Sequence, residues 1–274
     1  MNKTLLILVA LVCFGCSGGG GGGSNNGGDG GGTPAPAAVA GKWEIISTST
    51  QNPGGSYPYA AIEANLTQTG TSVFAGDKAA FVILFSAQGP GALAPLNPCG
   101  GLPQATINST LSGQNLSFTL TETGPGGSYV ITGTATVSSD AQSISGSYTS
   151  PAACGTAADA GTLSGTLVPS VNGTYATTFG TGLALPLTLT EDSAHDVTAT
   201  GSYQGSSFTL SGAIFGGSLT LSGDIPGVGG VILSAYYLNP PLVSLLPSVN
   251  GVSTQTGDFL IFGLGDSIGL ATKQ

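Results

Sequence analysis

Residues 41–274 repeat one pattern, in which short segments of alternating apolar and small polar residues are separated by Gly, Asn, Asp or Pro. The segment 115–121 is the clearest example: Leu116, Phe118 and Leu120 share one face, and Ser and Thr residues share the other. Because successive strand side chains point to opposite faces, this alternation predicts half-buried antiparallel strands. We therefore expect an all-β fold, with one or two up-and-down barrels or sandwiches.

A weak internal repeat divides this β region. The first half opens with Gly41-Lys42-Trp43, and the second opens with Gly173-Thr174-Tyr175. Each half carries about eight predicted strands, which is enough to close a small barrel. We expect a first β domain or half over 41–168 and a second over 169–274, either as tandem barrels or as parts of one larger sheet system.

The beginning of the chain has the features of a secretory signal peptide. Lys3 is followed by the short apolar run Leu5–Val12 and then by the small residue Gly15. An apolar run of this length is too short to span a bilayer as a helix. Residues 1–15 are therefore predicted to be removed as a signal peptide.

The cut site resembles the lipobox of bacterial lipoproteins, because Gly15 and Cys16 match the small residue and the lipidated cysteine, although Cys13 and Phe14 depart from the usual residues. The resemblance implies a lipid on Cys16 and attachment to a membrane. In lipoproteins of bacteria with two membranes, Asp after the cysteine favours the inner membrane; Ser17 carries no such signal, which implies the outer membrane or cell surface. The alternative is an ordinary signal peptide with Cys16 as a spare thiol.

The segment 16–40 is predicted to be a tether. It contains the uninterrupted run Gly18–Gly23 and ends in a Pro-containing stretch. Gly-rich chain behaves as flexible coil, and a segment of this length reaches roughly 25–30 Å on average. Such a tether would hold the β region away from the membrane.

The net charge of the chain argues against a nucleic-acid partner. The chain has 4 basic and 13 acidic residues, no Arg and a formal charge of −9. Because nucleic-acid binding depends on cations that neutralise phosphates, we expect no nucleic-acid partner.

Gly41 and Trp43 resemble the Gly-x-Trp motif that opens lipocalin-like β-barrels. The resemblance implies that Trp43 closes the floor of a barrel, with Tyr175 as its counterpart in the second half. It also implies a basic partner near the last strands, and the chain has no Arg for this position. The alternative is that Trp43 is simply a large core residue.

Two cysteines remain beyond the leader and the lipidation site, namely Cys99 and Cys154, each in a turn-rich segment. An exported chain meets an oxidising compartment, so the simplest prediction is one disulfide between them. The alternative is two free thiols.

Candidate chemistry is sparse. The single histidine, His195, lies among Glu191, Asp192 and Asp196, which could orient a general base or supply oxygens to Ca²⁺. The competing interpretation is a polar hairpin tip between two strands.

The segment 265–269 matches the Gly-x-Ser-x-Gly nucleophile pattern at Ser267. That pattern needs a following helix and a later His, yet only seven residues follow Ser267 and His195 precedes it. Zinc would need His or Cys ligands that the chain lacks. We therefore expect no catalytic site, metal or cofactor.

One long stretch, between Asp224 and Asp258, contains no charged residue. Pro240 and Pro241 disfavour a spanning helix, so we expect a buried strand followed by an apolar loop. That loop would pack in the core or, if exposed, mark a ligand mouth, a partner surface or a membrane contact.

These observations lead to one hypothesis and an alternative. The first is a lipid-anchored cell-envelope β-barrel protein that binds a small apolar ligand or a surface partner. The alternative is a structural or adhesive surface lipoprotein without a ligand pocket, and an enzyme ranks last.

Overall fold

The structure is a computed structural model that describes residues 37–51, 59–85, 94–95, 98–100, 105–179, 184–245, 247–249, 251–262 and 268–274. The predicted signal peptide, the lipidation site Cys16, the predicted tether up to residue 36 and Ser267 lie outside the described residues. Both β halves belong to one compact unit, Pro34–Gln274.

The first half closes into an antiparallel barrel, which we call barrel 1. Its eight main strands pair in chain order, with β3 pairing directly with β5, and the pairing of β1 with β9 closes the ring. The short strand β4 pairs with β3 alone. The strands are β1 (Gly41–Ser49), β2 (Tyr59–Thr69), β3 (Ser72–Phe85), β4 (Ala94–Pro95), β5 (Ala105–Ser112), β6 (Asn115–Gly124), β7 (Gly127–Val137), β8 (Ser143–Ser150) and β9 (Asp159–Leu167).

The second half closes into an antiparallel barrel of eight strands, barrel 2, in which β10 pairs with β19. Its wall consists of β10 (Gly173–Phe179), β11 (Leu187–Glu191), β12 (Asp196–Tyr203), β13 (Ser206–Phe215), β14 (Ser218–Ile225), β15 (Gly229–Tyr237), β18 (Phe259–Phe262) and β19 (Ile268–Lys273). Between β15 and β18 lie α1 (Pro240–Leu245) and the small hairpin β16 (Ser248–Val249) and β17 (Val252–Ser253). The prediction of an all-β antiparallel fold built from up-and-down barrels is confirmed, and there are two of them.

The helix α1 replaces part of the loop expected after β15. Two prolines are compatible with it because Pro is tolerated in the first turn of a helix, where its missing N–H has no partner to lose. Asn239 caps the helix, since its Oδ1 accepts the N–H of Leu242 at 3.0 Å. Leu238, Leu242 and Val249 are buried, so these residues of the apolar stretch pack in the core. Among the described residues, no helix has the length and apolar character needed to cross a bilayer.

The inner faces of both barrels are apolar, and their packing follows the alternation in the sequence. In β6, Leu116 and Leu120 point inward while Ser117 is exposed. In barrel 2, the ring of Phe259 makes edge contacts with Tyr175 and Tyr237 at centroid distances of 5.8 and 5.6 Å.

The two barrels open in the same way. The indole Nε1 of Trp43 donates a hydrogen bond to the carbonyl oxygen of Val39 at 2.9 Å. In the same way, the hydroxyl of Tyr175 donates to the carbonyl oxygen of Val171 at 3.1 Å. Both rings are buried, and each bonds to the residue four positions earlier. The weak repeat in the sequence therefore corresponds to a repeated structural motif.

A second contact completes this motif. The N–H of Val39 donates to Gln68 Oε1 at 2.8 Å, and the N–H of Val171 donates to Glu191 Oε2 at 2.9 Å. Gln68 and Glu191 thus hold equivalent positions at the ends of the second strands of their barrels. Residues 37–40, the described end of the predicted tether, therefore pack against barrel 1.

Lys273 is a basic residue on the last strand of barrel 2, and its side chain packs near Tyr175. Its Nζ lies 5.9 Å from the centroid of the Tyr175 ring. A cation at this distance is attracted by the face of an aromatic ring. Barrel 1 has the apolar Leu167 beside Gly41, where barrel 2 has Lys273 beside Gly173.

Candidate functional site

The outer faces of the two barrels meet in an apolar core of their own. Ile46 and Ala61 project from barrel 1 into a buried cluster with residues that follow β15 or lie on β18 and β19. The members from the second half are Leu238, Leu242, Val249, Leu260 and Leu270. Most residues of β1 are buried, because one face of this strand lines barrel 1 and the other packs against the second half of the chain.

A buried ion pair lies beside this core. Lys42 Nζ lies 2.5 Å from Glu191 Oε1, and the two side chains are only 4 % and 5 % exposed. Burial lowers the pKa of Lys42, although the bond to Glu191 opposes this. Burial would raise the pKa of Glu191, but hydrogen bonds from Lys42, Val171 and His195 outweigh it and lower the pKa. The pair therefore joins β1 of one barrel to β11 of the other.

The candidate base His195 belongs to the same network. Its Nδ1 lies 2.8 Å from Glu191 Oε1. Asp192 Oδ1 accepts the backbone N–H groups of Ala194 and Asp196 at 2.8 and 3.0 Å, which shapes the tight turn between β11 and β12. These residues thus form the polar hairpin tip. In the described part of the chain, no three His, Cys, Asp or Glu side chains gather in a way that could hold a metal ion.

The turn between β13 and β14 of barrel 2 contacts barrel 1. The side chain of Asn65 brackets this turn, because its Nδ2 donates to Ile214 O at 3.1 Å and its Oδ1 accepts from Gly216 N at 2.8 Å. The N–H of Gly217 donates to Glu63 Oε2. A Cβ at Gly216 would lie 2.4 Å from Trp43 O, so only glycine fits this approach.

Two carboxyl groups are buried under this hairpin. Glu44 and Glu63 are direct partners across β1 and β2, and neither is exposed. Neither oxygen of Glu44, and one oxygen of Glu63, has a hydrogen-bond partner in the described structure. Burial, together with the charge of Glu63, raises the pKa of Glu44 well above its usual value; burial raises the pKa of Glu63 to about 8 despite the Gly217 bond. Burial therefore favours the neutral form of both carboxyl groups.

A third buried carboxyl, Glu122, points into barrel 1 near the end of β6. Neither of its oxygens has a hydrogen-bond partner among the residues described, and burial raises its pKa to about 8. It is part of a polar layer at this end of the barrel. Tyr148 and Ser49 donate to the two oxygens of Asp159, each at 2.6 Å, and Tyr129 donates to Ser150 at 3.1 Å.

The predicted disulfide between Cys99 and Cys154 is present, with a Cα–Cα distance of 4.9 Å. It lies beside the turn between β6 and β7, where the N–H of Gly126 donates to Cys99 O at 2.8 Å. The bond therefore fastens the segment around residue 99 over the end of barrel 1 that contains Glu122.

Both barrel interiors are packed with side chains. The void lined by Ile45, Phe118 and Leu163 in barrel 1 holds about 20 Å³, and the void lined by Tyr175, Leu221 and Phe259 in barrel 2 holds about the same. A void of that size accommodates about one water molecule. Neither of these two voids has room for an apolar ligand.

A larger depression lies on the outside of barrel 1. It has a volume of about 450 Å³ and crosses β3, β5 and β6. Its polar lining consists of Ser and Thr hydroxyls and the amide of Asn108, and the ring of Phe74 is 43 % exposed beside them.

Sequence reasoning did not identify the three buried carboxyls. A signal existed for Glu122, because it continues the inward positions of Leu116, Phe118 and Leu120 at a spacing of two residues. No comparable signal marks Glu44 and Glu63, since their burial depends on contact with the other barrel.

The fold and these contacts define a class of all-β protein, two closed barrels fused side by side with filled interiors. No family model and no curated protein matches the sequence. Among solved structures, a protein of Bacteroides uniformis that is named as a 6-phosphogluconolactonase aligns over 73 % of this chain and 79 % of that chain, at 16 % identity. The TM-score is 0.12, so this likeness carries no argument.

Proposed function

We propose that the protein is a lipid-anchored protein of the cell envelope that presents a rigid pair of β-barrels to a surface partner. Cys16 would carry the lipid, and the Gly-rich tether would separate the barrels from the outer membrane. The contact with the partner would be made by the outer walls of the barrels.

The small volume of the two voids described inside the barrels is the observation that carries this proposal. A protein that transports a small apolar ligand needs a cavity of several hundred Å³, whereas these voids hold about 20 Å³ each. The function is therefore assigned to the outside of the molecule.

The contact between the barrels supports the idea of a rigid module. It combines an apolar core, the Lys42–Glu191 ion pair and the hydrogen bonds of Asn65 to the β13–β14 turn. Interfaces that bury both apolar and bonded polar groups hold their parts in one arrangement.

The lipid anchor is tested by growing the expressing cells with an alkyne fatty acid and comparing the native chain with Cys16→Ser. We expect label on the native chain, none on C16S, and full labelling of the control Cys13→Ser. Loss of label in C13S together with labelling of C16S would contradict the assignment, as would an unlabelled native chain.

Display at the cell surface is tested by treating intact cells with protease. The native chain should be cleaved in the tether and its barrels released, while a periplasmic control protein stays intact. Protection of the native chain in intact cells, with cleavage only after the outer membrane is opened, would contradict surface display.

A further inference from the structure

We propose that the outer wall of barrel 1 is a binding site for neutral glycan chains. The site is a trough between two rows of outward-facing side chains that run across the strands. This proposal specifies the chemistry of the surface partner in the proposed function, and it depends on that function being carried out by the outer walls of the barrels.

Strand register defines the two rows. The first row consists of residues that are direct cross-strand partners on six neighbouring strands, from β3 through β5 to β9. Its members are Ser72, Thr110, Ser117, Thr134, Ser147 and Thr162. The same registers give the second row, whose members are Phe74, Asn108, Thr119, Thr132, Thr149 and Ala160. Across β3, β5 and β6 the rows flank the depression of about 450 Å³, whose floor is formed by the residues between them, Val73, Ser109 and Phe118.

The chemistry of the rows fits a sugar chain. Ser and Thr hydroxyls both donate and accept hydrogen bonds, as does the Asn108 side chain, so they complement hydroxyl groups on a ligand. Phe74 lies at one end of the trough and exposes an apolar ring, on which the C–H face of a sugar ring can pack.

The spacing of the rows also suits a repeating ligand. Neighbouring strands lie about 4.8 Å apart, so the first row offers one hydroxyl side chain at that interval, and the second row offers a polar side chain from Asn108 to Thr149. This interval is close to the length of one sugar unit in an extended glycan, and a chain lying in the trough would therefore meet a similar pair of side chains at each unit.

The absence of charge in the two rows favours a neutral glycan as the ligand. Neither row contains a charged residue, and the whole chain has a formal charge of −9. An acidic polysaccharide would be repelled and would find no cation to pair with. A protein partner is disfavoured because its interface would need buried aromatic or Arg anchors, and the rows offer only Phe74.

The test uses the full chain, purified in detergent, in native gels that contain dextran, laminarin or mannan as neutral probes. We expect at least one of these polysaccharides to retard the protein, and alginate, which is acidic, to leave its mobility unchanged. The double variant Phe74→Ala with Asn108→Ala should weaken binding at least tenfold.

Ile232→Ala is the matched control, because Ile232 is an exposed apolar residue, 67 % accessible, on the outer wall of barrel 2. It should bind as the native chain does, and circular dichroism should show both variants folded. Three results would overturn the proposal: no retardation in any neutral gel, a preference for alginate, or equal loss of binding in both variants. None of them depends on the lipid, so the fatty-acid labelling result stands or fails separately.

Discussion

Glu122→Gln should change how the stability of barrel 1 depends on pH. In the folded protein, burial raises the pKa of Glu122 from 4.5 to about 8. Between these values the unfolded chain releases the proton while the folded chain keeps it, so the free energy of unfolding falls as pH rises. The stability associated with the protonated carboxyl is complete below pH 4.5 and is lost as pH rises to about 8.

The size of the effect follows from the shift. At roughly 1.4 kcal/mol per pKa unit, a rise from 4.5 to about 8 corresponds to at most about 5 kcal/mol of stability lost across this range. Glutamine has nearly the same shape and cannot ionise. The variant and the native chain should therefore be similar in stability at pH 4.5, and the variant should be more stable by several kcal/mol at pH 8.

Urea unfolding measures this difference, with the fluorescence of Trp43 as the probe because the chain has one Trp and it lies in barrel 1. Glu44 and Glu63 titrate in both proteins, so their contribution cancels in the comparison. Asp224→Asn, which changes an exposed acid on barrel 2, is the control and should follow the native curve. Parallel stability curves for the native chain and Glu122→Gln between pH 4.5 and 8 would refute the reasoning.

Three further perturbations test the barrel contact and the disulfide. Gly216→Ala places a methyl group against the backbone of β1 and should cost about 1–3 kcal/mol in urea unfolding, while Gly205→Ala, at a hairpin tip with open space, should cost less. Glu191→Gln leaves Lys42 buried without its counter-charge and should cost about 3–5 kcal/mol, and adding Lys42→Thr should recover much of this loss in a double-mutant cycle. Replacing both disulfide cysteines with Ala should lower stability by roughly 4 kcal/mol, and an unchanged thermal midpoint would contradict this.

The alternation of residue types predicted the barrel walls because strand side chains obey a period of two whatever the rest of the fold does. Leu116 and Leu120 point inward for this reason, and the intervening Ser and Thr residues face outward. The disulfide was predictable because Cys99 and Cys154 are the two cysteines beyond the leader and the lipidation site, and an exported chain meets an oxidising compartment. The helix α1 was missed because Pro240 and Pro241 were interpreted only as helix breakers, although the first turn of a helix accepts them.

The contact between the barrels could not be predicted, because it depends on residues far apart in the chain. Glu63 and Gly217 are ordinary in their local sequence, and only the closed barrels bring them together. The acidic cluster around His195 was misleading for a related reason. Its local composition suits a base or a cation, but the partner that determines the role of Glu191 is Lys42, from the other barrel.

The repeated opening motif explains why this ion pair exists where it does. Gln68 and Glu191 hold equivalent positions, and each accepts the N–H of the equivalent valine, so a neutral amide suffices for that task. Lys42 and Thr174 are likewise equivalent, but Lys42 is buried against the other barrel whereas Thr174 is exposed. The charged residues Lys42 and Glu191 therefore meet at one of the contacts between the barrels, where their equivalents Thr174 and Gln68 are neutral. Since a buried Lys without a partner would strongly disfavour the contact, each charge requires the other. We therefore expect the pair to favour this arrangement of the barrels over others, and a Lys42→Thr, Glu191→Gln double variant should keep the fold of each barrel while weakening their contact.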